Sequence, residues 1–293
     1  MSCRKMIAGL LANLPTAKSK FMKNSNFFFL FLAFAALSAC KEVPASIPEL
    51  SVGDRKVLVE ELTGVGCAQC PGGTAKLAAL TEQYGDNLVI VSLHAAPNFS
   101  NPLPESKYDF RTQKGTELAN YIGVAAGYPA AAINRRLVPP ETQIYLIGTS
   151  LWSGIIQEEL VKPPQTGVFL NTQFDAVSRK LDVNVNIAPD ATLTGEYRLT
   201  VLITQDSIQD YQKDGLEKIP DYYHRHVLRD ILTLPTGNVI EEALTPVAVV
   251  TRHFSTTLPV EWKEKHCNVV AFVHRGATPD KEVLQVDEVH VVQ

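Results

Sequence analysis

Two cysteines separated by two residues are the side chains of this sequence best suited to chemistry. Cys67 and Cys70 follow an apolar run at residues 56–62 and precede a helical pattern. At a helix start, unpaired N–H groups and the helix dipole favour a thiolate on the first cysteine. The second cysteine lies one turn further on, close enough to attack a mixed disulfide. The spacing indicates a redox pair, although a static disulfide and half of a metal site use it too.

A strand, a helix and a second strand must position this pair. Residues 56–62 and 88–93 are apolar enough to predict two buried strands. Between them, Leu77, Leu80 and Tyr84 fall on one helical face, which predicts a helix over residues 68–84. Strand, helix and strand in this order indicate a βαβ unit with a parallel sheet.

Further elements follow a proline-rich loop at residues 96–105. The pattern predicts a helix over 106–122, a short strand over 130–134, and a second short strand at 137–138. Apolar residues at helical spacing then predict a closing helix over 143–161.

The composition changes after Pro163 and Pro164. Residues 181–187 alternate strictly between apolar and polar, as in a half-buried strand, and residues 166–175 are placed to pair with them. The segment 207–232 interrupts this pattern. Alternation with few helical signals indicates an antiparallel β-sandwich. Further strands are predicted near 197–203, 245–256, 268–275 and 282–292.

The N-terminus has the features of a targeting segment. Residues 26–37 form an apolar stretch of about a dozen residues, too short for a membrane span. The tetrapeptide Leu37-Ser38-Ala39-Cys40 resembles a bacterial lipobox, which implies cleavage before Cys40 and its acylation. An ordinary cleaved signal is the alternative. The net charge of −4 gives no nucleic-acid footprint.

The other cysteines have simpler predicted roles. The sequence contains 5 cysteines, of which Cys3 lies in the predicted signal segment and Cys40 ends it. Cys267 begins a predicted strand, where we expect a small buried hydrophobe. No sequence feature indicates a cofactor.

Three histidines are weaker candidates. His224 and His226 share one face if extended and so could bind a metal, but no third ligand is apparent and a polar strand face is the favoured interpretation. His94 ends a predicted strand and could approach the cysteine pair, although a structural histidine is the commoner case.

The segment 56–161 resembles the thioredoxin fold in its order of strands and helices. In that family a cis-proline loop lies against the C-x-x-C turn, and Pro129, in Gly127-Tyr128-Pro129, matches it. A buried carboxylate lies six residues before the first cysteine, and Glu61 matches it. Gly66 stands where the family usually has Trp, which we expect to leave one face of Cys67 open.

A narrower resemblance covers nearly the whole mature chain. It rests on the lipobox at Cys40, on residues 60–64 leading to 67–71, on Tyr128-Pro129 with Asn134-Arg135, and on residues 223–229. These pieces are similar to the outer membrane protein 28-related lipoproteins of Bacteroidetes-type bacteria. The resemblance implies a thioredoxin-like domain followed by an Ig-like β domain at the outer membrane.

The predicted organisation is a signal segment at 1–39, a lipid anchor and linker at 40–53, an α/β thioredoxin-like domain at 54–162, and an all-β antiparallel sandwich at 163–293.

The predicted function is thiol–disulfide exchange with exported thiol- or disulfide-bearing proteins, on a membrane reached through the lipid at Cys40. Cys67 would attack and Cys70 resolve, while Pro129 holds the substrate backbone and Glu61 assists proton transfer. The alternative is a non-catalytic binding or structural lipoprotein with a static disulfide.

Overall fold

The structure is a computed structural model and describes residues 55–276 and 281–292. All of these residues belong to one compact unit. The predicted signal segment, the linker at 40–53 and the anchor residue Cys40 lie outside the described residues. The chain is mostly β, with few helices.

The first half contains the predicted strand–helix–strand unit. The second helix, Gln113–Ile122, begins later than predicted because the Thr112 hydroxyl accepts a hydrogen bond from Gly115 N and caps the helix there. The predicted strand at 137–138 does not form; Leu146 instead pairs with Ala131, which shortens the closing helix. The elements are β1 (Val57–Leu62), α1 (Cys70–Tyr84), β2 (Leu88–Leu93), α2 (Gln113–Ile122), β3 (Ala130–Ile133), β4 (Leu146–Ile147) and α3 (Trp152–Leu160).

The second half is built of strands. The predicted pairing of 166–175 with 181–187 is confirmed, since Phe174 lies opposite Leu181 and Thr166 opposite Pro189. The segment 207–232, where the predicted strand pattern is interrupted, contains a β-hairpin and a further strand. The strands are β5 (Thr166–Phe174), β6 (Lys180–Pro189), β7 (Tyr197–Gln205), β8 (Ile208–Asp214), β9 (Glu217–His224), β10 (Val227–Ile231), β11 (Asn238–Val239), β12 (Val250–Thr257), β13 (Cys267–Arg275) and β14 (Val283–His290).

One large sheet crosses the predicted domain boundary. Within the described residues it has nine strands, in the order β14-β13-β7-β10-β2-β1-β3-β4, with β11 paired to β7. Its two halves meet where β10 lies parallel to β2, with Val227 opposite Ser92. The backbone N–H of Ser92 donates to the carbonyl of His226 at 2.8 Å. The division at 162/163 stays a prediction, and it does not separate two sheets.

Three apolar clusters hold the layers together. The small sheet β12-β6-β5 packs on β7, β13 and β14, which gives the predicted sandwich. Around β1 to β3, helix α2 packs on one face and helices α1 and α3 pack on the other. The cluster under α2 also takes Leu202, Leu228 and Phe272 from the second half, so both halves share one core.

Within the described residues no helix is long and apolar enough to span a membrane.

Candidate functional site: a disulfide covered by a β-hairpin

The predicted cysteine pair forms a disulfide at the start of α1. Cys67 lies in the turn after β1, Cys70 is the first residue of α1, and their Cα atoms are 5.4 Å apart. Pro71 is tolerated in the first turn because the N–H groups there have no helical partner. Cys67 is only 4% exposed and Cys70 only 1%. The open face expected at Cys67 is therefore absent in this conformation.

The backbone of Phe99 covers one side of the turn. Gly66 N donates to the carbonyl of Phe99 at 2.7 Å. A Cβ atom at Gly64 would lie 2.3 Å from the same oxygen, so only glycine fits there. A Cβ at Gly66 would lie 3.1 Å from it. The space that a larger residue would occupy before Cys67 is thus taken by the main chain.

The β8–β9 hairpin covers the other side. Lys213 N donates to Val65 O at 2.8 Å, and Gly215 N donates to Ala68 O at 2.9 Å. The side-chain amide of Gln212 donates to the carbonyls of Gly64 and Cys67, each at 3.2 Å. Hydrogen bonds from the hairpin thus fix the turn along most of its length, and they explain the burial of Cys67.

The hairpin is itself attached to the loop before α2. The carboxylate of Asp210 accepts hydrogen bonds from Lys107 N and Tyr108 N, at 3.0 and 2.9 Å. Near the hairpin tip, Lys218 forms an exposed ion pair with Glu105 at 2.6 Å. A partner thiol could therefore reach Cys67 only after this cover moves.

Pro129 and Glu61 both approach the first turn of α1. The Tyr128–Pro129 peptide bond is cis. A Cβ atom on Gly73 would lie 2.8 Å from Pro129 Cβ and 3.1 Å from Glu61 Oε1. Because Gly73 has no side chain, the proline and the carboxylate can both contact the helix that begins at Cys70. The structure thus brings together Cys67, Cys70, Pro129 and Glu61.

Glu61 is a buried carboxyl group with hydroxyl partners. It is 1% exposed, and the hydroxyls of Thr74 and Ser92 donate to its two oxygens at 3.3 and 3.1 Å. Burial raises the pKa of Glu61 to about 7, and these hydrogen bonds oppose the rise. The group also lines a cavity of about 330 Å³ that is bordered by Asp206 and His226. Glu61 can therefore exchange a proton near neutral pH.

The histidines do not form a metal site. His94 and His224 pack against Phe110, with ring centroids 4.9 and 4.7 Å from it. Burial lowers the pKa of His94 to about 3 and that of His224 to about 4, so both rings are neutral. His226 lies instead beside Asp206, at 3.6 Å. Among the residues that the structure describes, no group of His, Cys, Asp or Glu could hold a metal ion.

Cys267 is buried, as predicted. Its thiol donates to Lys263 O at 3.3 Å. Burial raises its pKa to about 12, which keeps this free thiol protonated and unreactive. It therefore offers an internal control for experiments on the thiols of Cys67 and Cys70.

Comparisons with known proteins give one family match and two matches in fold. The profile of the family described as outer membrane protein Omp28 matches residues 116–293. HBP35 of Porphyromonas gingivalis is 17% identical, with a TM-score of 0.66 over 81% of this chain and 75% of that one. A protein from Agrobacterium tumefaciens is 14% identical, with a TM-score of 0.51 over 82% and 96%. These two likenesses show a shared fold.

A third solved structure covers less of the chain. A domain of the outer membrane lipoprotein Omp28 from Porphyromonas gingivalis is 15% identical, with a TM-score of 0.32 over 44% of this chain and 88% of that one. The comparison with curated proteins gave no match.

Proposed function

The chain belongs to the Omp28 family of outer membrane proteins, and from this premise we propose that it is an outer-membrane lipoprotein whose Cys67–Cys70 pair carries out thiol–disulfide exchange. The family match begins at residue 116, after the cysteine pair. The redox part of the proposal therefore rests on the geometry of the site.

One observation carries the proposal. A C-x-x-C pair begins α1, and a buried carboxyl group whose pKa is about 7 and the cis Pro129 both approach Gly73 in the first turn of that helix. A thioredoxin-like arrangement of β1, α1, β2 and β3 would position these groups in this way. A static disulfide has no need of a protonatable group at this place.

The exchange runs in two steps. The Cys67 thiolate attacks one sulfur of a partner disulfide, so that a mixed disulfide forms and the partner's second sulfur leaves as a thiolate and takes up a proton. Cys70 then loses its proton to Glu61 and attacks Cys67, which closes the Cys67–Cys70 bond and expels the partner's first sulfur as a thiolate. This thiolate takes up the proton from Glu61 and leaves as a thiol. Two electrons pass from the pair to the partner, and the reverse sequence oxidises a partner dithiol.

The neighbouring groups have separate roles in this scheme. Pro129 would hold the backbone of the partner beside the disulfide, because it lies against the first turn of α1. The β8–β9 hairpin would have to move before the partner reaches Cys67. The lipid at Cys40 would keep the domain on the membrane, with exported proteins as partners.

One observation favours the second candidate, a non-catalytic lipoprotein with a static disulfide. Both cysteines are nearly buried, and the hydrogen bonds from the hairpin would protect a structural bond as well as a catalytic one. The two candidates differ in whether the reduced pair attacks other proteins.

Trapping of mixed disulfides tests the exchange. Cys70→Ser leaves Cys67 able to attack but removes the resolving thiol, so exported proteins should accumulate as covalent complexes that dithiothreitol releases. Cys67→Ser should trap none, and Cys267→Ser gives a control for loss of a thiol. Pro129→Thr combined with Cys70→Ser should prolong the complexes. Absence of complexes from both single variants would favour the static disulfide.

The anchor is tested separately. Cys40→Ser should abolish labelling with a palmitate analogue and leave the chain unprocessed, whereas Cys3→Ser should change neither. A Cys40→Ser variant that is still labelled would refute the anchor while leaving the exchange chemistry untouched.

A further inference from the structure

Arg229 is a largely buried cation without an acidic partner among the described residues. It lies on β10, and no carboxylate oxygen comes within ion-pair distance of it. Its Nε is shut off from solvent and has no hydrogen-bond partner. Burial lowers the pKa of its guanidinium. A charge taken out of water in this way is costly unless a counter-ion approaches it.

The ring of Trp262 fixes the plane of this guanidinium. The central carbon of the Arg229 group lies 5.0 Å from the centroid of the ring. Stacking on an aromatic face occupies the flat side of an arginine and leaves its edge N–H groups for other partners. The edge of a guanidinium is the part that binds oxyanions in a bidentate manner.

A cavity of about 150 Å³ borders Arg229. Lys107 and Lys263 add two cations to its wall, against the single carboxylate of Glu261. Gln205, which is 4% exposed, also lines the cavity, and its Oε1 has no hydrogen-bond partner. This amide oxygen can only accept, so it would pair with a protonated oxygen of an anion. The wall thus combines excess positive charge with one free acceptor.

We propose that this cavity binds a small tetrahedral oxyanion of the phosphate or sulfate type. The anion would accept hydrogen bonds from the edge of Arg229 and be attracted by Lys107 and Lys263. The volume suits one such group. The site is separate from the disulfide and does not depend on the exchange chemistry.

Glu261 is the alternative counter-ion for Arg229. It is exposed, and it is the carboxylate of the cavity wall that acts electrostatically on Arg229. If it were the counter-ion, Glu261→Gln would leave Arg229 unsatisfied and destabilise the fold. If an external anion fills the cavity, the same substitution removes a repelling charge and tightens binding.

The test is a titration of the mature chain, with its disulfide intact, with inorganic phosphate at constant ionic strength. Isothermal calorimetry should give saturable binding with a Kd at or below about 10 mM. Arg229→Gln should weaken it by about tenfold or more, and Arg229→Lys should be intermediate because it keeps the charge without the fork. Arg252→Gln, which breaks a surface ion pair with Glu242, should leave it unchanged. Glu261→Gln should tighten it.

Several results would overturn the proposal. These are no saturable phosphate binding by the unmodified chain, equal binding by Arg229→Gln and Arg252→Gln, or a Glu261→Gln variant that is destabilised without binding more tightly. Acetate bound as strongly as phosphate would overturn the tetrahedral preference. If Arg229→Gln does not fold, Lys107→Gln with Lys263→Gln serves instead, and binding equal to that of the unmodified chain would again contradict the site.

Discussion

Glu60 and Glu61 are neighbours on β1 and lie on opposite faces of the sheet, both almost fully buried. Glu60 accepts two hydrogen bonds from Arg135, each at 2.7 Å, and that guanidinium is stacked 4.8 Å from the ring of Phe272. Glu61 has the hydroxyls of Thr74 and Ser92 instead. The hydrogen-bond partner, more than burial, therefore decides whether a carboxylate stabilises the fold or carries a proton.

Removing the cation beside Glu60 should have the largest effect on stability. Arg135→Met leaves a buried charge without a partner, which should lower the free energy of unfolding by about 3–5 kcal/mol. Denaturant unfolding measures it. Arg111→Met is the control, because it breaks an exposed pair with Asp109 and should change little. Equal losses in the two variants would mean that the Glu60–Arg135 pair does not fix the fold.

Glu61 should make stability depend on pH. Its pKa is raised from 4.5 to about 7 in the folded state, so the folded chain keeps a proton that the unfolded chain releases. Its contribution is complete below about pH 4.5 and is lost as the pH rises to about 7, by about 3 kcal/mol. Glu61→Gln should remove this fall.

Glu288 is the matched comparison for that measurement. Burial raises its pKa to about 7 as well, so Glu288→Gln should remove a fall of the same sign. Unfolding curves recorded between pH 4 and 8 separate the two contributions. A Glu61→Gln variant whose stability still falls like that of the unmodified chain would contradict the raised pKa.

The rate of thiol–disulfide exchange should distinguish Glu61 from Glu288, the two acids whose pKa is raised. Glu61→Gln removes the proton acceptor proposed for Cys70 and should slow closure of the mixed disulfide about a hundredfold near pH 7. Glu288→Gln should leave this rate unchanged. Stopped-flow release of a labelled partner thiol measures it. Equal rates in both variants would assign Glu61 a structural role only.

Loosening the hairpin should have the smallest effect. Gln212→Ala removes two hydrogen bonds of 3.2 Å to the turn. At about 0.5 kcal/mol for each of these long bonds, or about 1 kcal/mol together, the reduction of Cys67–Cys70 by dithiothreitol should become about fivefold faster. Gln209→Ala, which loses an exposed bond to Asp221, should have no effect. If both variants are reduced at the unmodified rate, the hairpin does not control access.

Local patterns in the sequence predicted the site better than its surroundings. The cysteine spacing, the apolar strands around it and the match of Pro129 to a cis-proline loop all placed groups that the structure brings together. The β8–β9 hairpin was missed because its buried positions hold Asp210 and Gln212, which give no apolar alternation. These side chains can be buried because they form hydrogen bonds with main-chain groups. The spacing of residues in the sequence does not predict such hydrogen-bond partners.

The pairing of strands distant in the chain could not be predicted from the sequence either. The sheet continues from one half to the other through His226 and Ser92, more than a hundred residues apart, and no local pattern marks this contact. In the same way, the sequence singled out Glu61 by its distance from Cys67 but gave no reason to pair Glu60 with Arg135. The mostly β character of the chain follows from periodicity, whereas the contacts that decide a residue's role depend on the register of distant strands.

The reduction potential of the Cys67–Cys70 couple tests the central claim most directly. It is measured on the mature chain by equilibration with glutathione or dithiothreitol buffers and quantification of free thiols, with the buried Cys267 as an internal constant. A pair that exchanges with other proteins should have a potential in the range of known exchange proteins, about −120 to −270 mV. A potential below about −300 mV would contradict exchange and identify a structural disulfide.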